Sequence, residues 1–251
     1  MAGRPCWLIA IILSLMIGIG AHATGEVTPN PGTTGSPAAV TEDAVRLLEL
    51  GKLLMGQNNP EFATTPLKLS PEARNTAGEQ ALRTFQSLVK LKPQYADGWL
   101  WLGLALTETL HYSKEHPEGE SVLDEARITD GLSALRIAYQ QNPANLTYVC
   151  CYSDALMAYR KDFDAARKLW DRYLPIATSD CERVTALIQA GRACLNKAFF
   201  GKTAGMPTEE VRGNYQAAVN YVQQAARLLP KSENVREMQE LLRQHRKTLS
   251  K

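Results

Sequence analysis

The chain has 251 residues, of which 45% are hydrophobic and 22% are charged, and its formal net charge is +2. This composition excludes collagen-like and highly charged disordered chains, and the near-balance of charges argues against a nucleic-acid-binding protein. A globular chain of this length can bury a substantial core and still form one domain.

The first residues predict a cleaved signal peptide over residues 1–23. Arg4 gives a positive start, residues 6–20 carry no charge, and the small residues Ala21 and Ala23 stand where a signal peptidase cuts. An uncleaved membrane anchor is the alternative, but the apolar run is shorter than the roughly 18 to 20 residues that span a bilayer. We therefore expect an exported protein, periplasmic or secreted, with no membrane span in its mature chain.

The mature chain is expected to begin with a flexible linker over residues 24–40, because Thr, Pro and Gly dominate this stretch and no helical period is present. A helical domain is expected to follow over residues 41–251. Cleavage removes Cys6 and leaves four cysteines, an even number that permits disulfides in an exported protein.

Four segments of this domain share one spacing pattern. Each has a small residue, a bulky residue four positions later and an apolar residue about four positions further on, which is the spacing of one helical face. A proline closes three of them, because proline lacks the amide proton and ends a helix. The segments are residues 78–93, 129–143, 162–179 and 214–230, and the closing prolines are Pro93, Pro143 and Pro230.

Two short motifs are typical of a 34-residue helix–turn–helix repeat. The matching residues are Trp99, Leu102 and Gly103 in W-x2-L-G, and Ala81, Phe85 and Pro93 in A-x3-F…P. In these motifs the sequence resembles the tetratricopeptide repeat (TPR) family, over roughly residues 41–230 and with degenerate repeats. The resemblance implies an all-α fold, a right-handed α-solenoid of about four helix pairs that is closed by a C-terminal capping helix.

The predicted helices follow this repeat. The first helices of the four pairs are expected near residues 41–56, 95–110, 145–160 and 181–198. Their partners are expected near residues 75–92, 122–142, 162–177 and 208–229, and the capping helix near residues 231–251.

The first helix of the second pair has bulky apolar side chains on more than one face. Trp99 and Trp101 are two positions apart, about 200° around a helix, so they cannot share a face. We expect Trp99, Leu102 and Leu106 to face the partner helix. Gly103 should let a neighbouring helix approach closely, and Trp101 should lie against the adjacent repeat or in solvent.

Two surfaces of such a stack are candidates for binding a protein or peptide. Three long connections between first and second helices are expected on one edge, where they either bind a partner or only pad the helix ends. These connections are residues 56–75, 111–122 and 199–211. The first helices of TPR arrays line an inner curve, whose side chains suit either an extended peptide or a solvated groove. The predicted groove residues are Asp97, Leu104, Thr107, Glu108, Asp154, Met157, Gln189 and Arg192.

The cysteines of the mature chain give a weaker signal. Cys150 or Cys151 is a candidate to form a disulfide with Cys181, provided that Cys181 lies in a flexible turn before its helix. Simple packing of these residues in the core is the alternative. No spacing in the sequence is typical of a metal site, a phosphate loop or a catalytic motif.

Charge is distributed unevenly along the chain. Residues 108–130 carry seven acidic side chains and two basic ones, whereas residues 227–251 carry seven basic and three acidic ones. This asymmetry either orients a partner or a second copy of the chain, or belongs to a solvated loop and a solvated cap.

These features favour an exported TPR-type scaffold that binds a protein or peptide through its groove and the connections on one edge. We expect no enzyme activity, no cofactor, no metal and no nucleic-acid partner, and self-association is compatible with an open stack. The alternative is an accessory protein of a transport or envelope system that captures a small molecule between its connections.

Overall fold

The computed structural model describes residues 42–63, 65, 67–121 and 123–249. The predicted signal peptide and linker lie outside these residues. Within them the chain is almost entirely helical, which confirms the all-α class. In the described part of the chain, no helix is both long enough and apolar enough to cross a bilayer.

The helices fall close to their predicted positions. The largest deviations are five residues: α7 continues to Thr203, beyond its predicted end at 198, and α5 ends at Ala155, before its predicted end at 160. The helices are α1 (Glu42–Asn58), α2 (Pro71–Leu91), α3 (Ala96–Glu108), α4 (Glu125–Gln141), α5 (Leu146–Ala155), α6 (Phe163–Tyr173), α7 (Asp180–Thr203), α8 (Thr208–Leu228) and α9 (Glu233–Leu249).

Shorter elements fill the connections. Strands β1 (Leu110–His111) and β2 (Glu120–Ser121) pair antiparallel between α3 and α4. A 3-10 helix, Pro60–Phe62, follows α1, and another, Leu174–Ile176, follows α6. A π-helical turn, Leu156–Arg160, extends α5.

Three helix ends share one turn geometry. The predicted proline follows α2, α4 and α8, and the residue before that proline caps each helix. Lys92, Asn142 and Leu229 have φ values of −136°, −148° and −135°, and ψ values of 78°, 81° and 80°. Proline excludes helical geometry from the residue before it, so the repeated sequence signal produces the same chain reversal three times.

The helix starts are set by side chains that accept hydrogen bonds from free backbone N–H groups. Each N-cap oxygen satisfies one or two of the donors that a helix leaves unpaired at its first turn. The residues in this role are Ser70 for α2, Asp124 for α4, Asn145 for α5, Asp162 for α6 and Ser179 for α7.

The chain divides into two compact units with the boundary after Asn142. In unit 1, α1 packs on α2 and α3 packs on α4, with α3 also contacting α1 and α2. In unit 2, α6 packs on α5 and α7, α8 packs on α7, and α9 packs on both α7 and α8. Each unit is therefore built of helix hairpins, whose connections are long in unit 1 and short in unit 2.

The core of unit 1 places the two tryptophans of α3 on different neighbours. Trp101 is 8% exposed and stacks on Phe85 of α2, with ring centroids 6.0 Å apart. The edge of Trp101 meets Phe62, with centroids 5.9 Å apart. Trp101 thus lies against the preceding hairpin, the first of the two predicted alternatives.

Trp99 occupies the other face of α3, as predicted. Its Nε1 donates to the carbonyl of Pro93 at 2.7 Å, and Gln141 Nε2 donates to the same carbonyl at 2.8 Å. With Leu102 and Leu106, Trp99 lines a shallow pocket whose opposite wall is α4. The Pro93 carbonyl therefore links the start of α3 to the end of α4.

At Gly103, α4 approaches α3 closely, as predicted. A Cβ atom at Gly103 would lie 2.6 Å from Leu135 Cγ and 3.0 Å from the carbonyl oxygen of Gly131. A 2.6 Å contact does not occur between real carbon atoms, so a larger residue fits only if the Leu135 side chain or α4 shifts.

Candidate functional site

The predicted groove residues of unit 1 do not form one open surface. Leu104 and Thr107 are 3% and 2% exposed. The Thr107 hydroxyl donates to the carbonyl of Gly103 at 3.0 Å, and its methyl group faces Gly131 of α4. Only Asp97 and Glu108 are half-exposed. Leu104 and Thr107 therefore pack inside the unit, and a binding role for these four residues stays a prediction.

The predicted groove residues of unit 2 lie on α5, on the π-helical turn that extends α5, and on α7, and one of them contacts two others. We call Asp154, Met157, Gln189 and Arg192 the inner cluster. Arg192 Nη1 donates to Gln189 Oε1 at 3.0 Å and lies 3.9 Å from Asp154 Oδ1. The cluster is mostly buried, since Asp154, Gln189 and Met157 are 2%, 4% and 6% exposed. It lies within the core more than on a surface that a partner reaches.

The Asp154 carboxylate of the inner cluster is poorly satisfied. Its 3.9 Å ion pair is too long for a hydrogen bond, and Asp154 Oδ2 has no hydrogen-bond partner among the described residues. Burial raises the pKa of Asp154 to about 6, although the nearby Arg192 acts in the opposite direction. Burial also lowers the pKa of Arg192 and raises that of Cys150, one turn before Asp154.

The candidate disulfide is not formed in the structure, where Cys150, Cys151, Cys181 and Cys194 belong to no disulfide. The geometry gives the reason. Cys150 and Cys151 are 2% and 3% exposed and point into the core, while Cys181 is exposed in the first turn of α7. Cys181 is part of a helix instead of the flexible turn that the bond required.

The two long connections of unit 1 are fastened to each other by three asparagines, two of which are buried. Asn58 is fully buried, and its side chain donates to the carbonyl of Leu110 and accepts from the N–H of Leu110, both at 2.8 Å. Asn75 makes the same pair of bonds with the backbone of Tyr112, at 2.9 and 2.8 Å. Asn59 Nδ2 donates to the carbonyl of Glu108 at 2.9 Å. The connections of unit 1 thus meet on one edge, and their contacts are structural.

The third long connection, 199–211, is mostly helix. Residues up to Thr203 belong to α7, and α8 begins at Thr208, which leaves four residues between the helices. The reversal uses Gly205, whose φ of +80° favours glycine. The prediction of a long connection here was wrong, and its first residues, Phe199 and Phe200, lie in the last turns of α7.

Phe199 and Phe200 belong to a ring cluster at the edge of unit 2. We call Phe163, Phe199, Phe200 and His245 the aromatic edge. Phe200 stacks on Phe163 with centroids 5.5 Å apart and 14° between the planes. Phe199 meets Phe200 edge-on at 5.5 Å and His245 at 5.4 Å. Phe163 is 7% exposed, whereas Phe199 and Phe200 are 38% and 40% exposed.

Three helices hold the aromatic edge in place. Phe163 is the first residue of α6, directly after the tight turn through Lys161, whose φ is 53°. His245 lies on α9, and Lys202 of α7 donates to the carbonyl of Thr248, also on α9. Because α6, α7 and α9 each supply a part, the exposed rings are supported by the fold.

Sequence reasoning found part of this edge. It singled out 199–211 as a candidate surface, and the Phe199–Phe200 pair is its most apolar dipeptide. It missed Phe163 and His245, because they lie 36 residues before and 46 residues after Phe199 and only the fold brings them together.

Comparisons with known proteins give little that bears on function. No family model matches the chain, and no curated protein sequence matches it. Among solved structures the chain resembles a thermophilic TPR protein from Thermus thermophilus, with a TM-score of 0.42 and 15% sequence identity. The match covers 79% of this chain and 98% of that one. A likeness of this size carries no argument about function, and the hairpin architecture rests on the contacts described above.

Proposed function

We propose that this chain is an exported scaffold that binds a protein segment, and that it does so at the aromatic edge of unit 2. The observation that carries the proposal is the pair of neighbouring phenylalanines, Phe199 and Phe200, each more than a third exposed at the end of α7. Exposed apolar side chains that form a contiguous patch mark interaction surfaces more often than scattered ones.

The construction of the edge supports a binding role. Phe200 and Phe199 are fixed by ring contacts to Phe163 and His245, so their conformational entropy is largely lost before a partner arrives. Large aromatic side chains that are already held in one conformation are among the residues that contribute most to protein–protein affinity.

The proposal places the binding surface at the edge in preference to the inner cluster. Asp154, Met157 and Gln189 are at least nine-tenths buried, and a partner would reach them only if α5 and α7 separated. The groove contact that the sequence suggested would then be limited to Asp97 and Glu108 on unit 1, which are half-exposed, and to Arg192, whose side chain is 12% exposed.

Site-specific photo-crosslinking in the exporting cell tests the proposal. The photoreactive amino acid p-benzoylphenylalanine replaces Phe200 in one variant and Ile176 in a matched control. Ile176 is also an exposed apolar residue of unit 2, at 47%, but it lies in the connection between α6 and α7. We expect a reproducible protein adduct from position 200 and none from position 176.

Two outcomes would contradict the proposal. One is the absence of any protein adduct at position 200, and the other is the same adduct at both positions, which would indicate unspecific contact. A small molecule that co-purifies with the unmodified protein and is lost on mutation of Phe200 would support the accessory-protein alternative.

A further inference from the structure

We infer that the aromatic edge takes a linear protein segment in which an aromatic or aliphatic side chain is flanked by carboxylates. This inference rests on the proposed function and adds the chemistry of the partner. The shape of the ring cluster and the charges around it support this chemistry.

The shape provides a place for one apolar side chain. Phe163 is nearly buried and stacks beneath Phe200, while Phe199 stands at 88° to Phe200. Two exposed rings at a right angle form a notch with apolar walls. An incoming ring or branched aliphatic group can contact both walls, in the edge-on or offset arrangements that aromatic pairs favour.

The rim of the notch carries ammonium groups that pair with no carboxylate among the described residues. Lys161 Nζ lies 5.0 Å from the centroid of Phe200 and donates to the carbonyl of Ala158 at 3.0 Å. Lys202 Nζ donates to the carbonyl of Thr248. Both lysines are exposed, so each keeps donors for a partner.

Two of the acidic side chains near the rim share one lysine, and a third accepts a backbone hydrogen bond at the start of α6. Lys197 Nζ lies 2.8 Å from Asp164 Oδ2 and 3.7 Å from Glu210 Oε1, and the Asp162 carboxylate caps the start of α6. Of the lysines among these described residues, Lys161 and Lys202 are the two that pair with a backbone carbonyl and not with a carboxylate. A rim of this sign attracts carboxylates and repels basic segments, which gives the site a preference between partners.

Fluorescence anisotropy with three labelled peptides tests the inference on the mature chain, residues 24–251. The acidic probe is Gly-Asp-Glu-Phe-Asp-Glu-Gly, the basic probe replaces its four acids with lysine, and the third replaces its phenylalanine with serine. We expect the acidic probe to bind at least tenfold more tightly than either of the other two, and more weakly as salt increases.

Charge reversal at the rim provides the matched variants. The double variant Lys161→Glu/Lys202→Glu should bind the acidic probe at least tenfold more weakly than the wild type does. It should bind the basic probe more tightly than the acidic one. Lys231→Glu changes an exposed lysine in the turn between α8 and α9 and should leave both affinities unchanged. Thermal unfolding followed by circular dichroism checks that each variant is folded.

The inference is overturned if no probe binds saturably, if the basic probe binds as tightly as the acidic one, or if the double variant binds the acidic probe like the wild type. Binding of anionic phospholipid vesicles in place of the peptide would also overturn it. The proposed function fails separately, when position 200 gives no protein adduct in the cell. If position 200 gives a protein adduct but the acidic probe is not preferred, the proposed function is supported and the inference about the acidic partner is wrong.

Discussion

Asp154 shows how a single buried group makes stability depend on pH. Its carboxyl group is 2% exposed, and burial raises its pKa to about 6, from an ordinary value of 3.8. At a pH between these two pKa values, the folded chain holds a proton on Asp154 that the unfolded chain has lost. The group therefore stabilises the fold fully below about pH 4, and this contribution is lost as the pH rises through 6.

Replacing Asp154 with asparagine should remove this dependence. We expect the free energy of unfolding of the wild type, relative to Asp154→Asn, to be higher at pH 5 than at pH 7.5 by about 1 kcal/mol. Urea unfolding of both proteins at the two pH values measures the difference, because contributions that the two proteins share cancel in the comparison. An equal change with pH in both proteins would show that Asp154 titrates as an exposed carboxyl does.

Gly103 is a residue whose role is visible in the sequence, because a glycine inside an otherwise bulky helix indicates close packing. Replacing it with leucine should destabilise unit 1 by about 1–3 kcal/mol, since Leu135 and Gly131 leave no room. Gly213 on α8 is the matched control, because nothing lies within 4 Å of a Cβ atom there. Gly213→Ala should raise stability by roughly 0.5–1 kcal/mol. An unchanged melting temperature for Gly103→Leu would contradict the packing of α3 on α4.

At the scale of elements, local signals predicted the helix ends and distant contacts changed one of them. The prolines after α2, α4 and α8 act on the residue beside them, so sequence alone suffices. The end of α7 is different. Gly201, Gly205 and Pro207 favour an early turn, yet the helix continues to Thr203 because Phe199 and Phe200 pack on rings from α6 and α9. The burial of the inner cluster could not be predicted from sequence patterns either, because it depends on how closely α5 and α7 approach each other.

The connections of unit 1 should loosen when their shared asparagine is removed. Asn58→Ala leaves the backbone N–H and C=O of Leu110 without their partner, at a cost of about 1–3 kcal/mol per unsatisfied buried group. Hydrogen exchange at residues 109–121 should become faster, while exchange in unit 2 stays the same. Asn220→Ala, at an exposed asparagine of α8, is the control. Unchanged exchange in the hairpin would show that Asn58 does not hold it.

The helix α9 is expected to act as a cap. It buries Val235, Met238 and Leu242 against α7 and α8, so a chain that ends at Pro230 should aggregate or be proteolysed. Met238→Lys tests the same contact in the full chain, with Gln239→Lys at an exposed neighbour as its control. A 24–230 fragment that is monomeric and as stable as the longer chain would show that α9 is only an appendage.

At the scale of the whole molecule, the repeat was predictable and the arrangement of its surfaces was not. The first helices of the last three pairs begin at Ala96, Leu146 and Asp180. The second spacing, 34 residues, is one repeat length, and the first, 50 residues, is one repeat length with an insertion. Repeated spacing identifies hairpins because each hairpin is a local unit. The aromatic edge combines residues from α6, α7 and α9, and no periodic signal connects them.

Export is a whole-chain property that the first residues predict. The mature protein should begin at Thr24, because Ala21 and Ala23 satisfy the small-residue requirement of a signal peptidase. N-terminal sequencing of protein recovered from the exporting cell measures this. Recovery of the chain with Met1 intact in a membrane fraction would favour the uncleaved anchor.

Quantitative affinity capture tests most directly the claim that this protein binds a protein partner through its aromatic edge. The mature wild type, the double variant Phe199→Ser/Phe200→Ser and the control Ile176→Ser are each recovered from the exporting compartment, and bound proteins are quantified by mass spectrometry. We expect one protein to accompany the wild type and the control in equal amounts and to fall at least tenfold with the double variant. A partner retained by the double variant, or no partner with the wild type, would contradict the account.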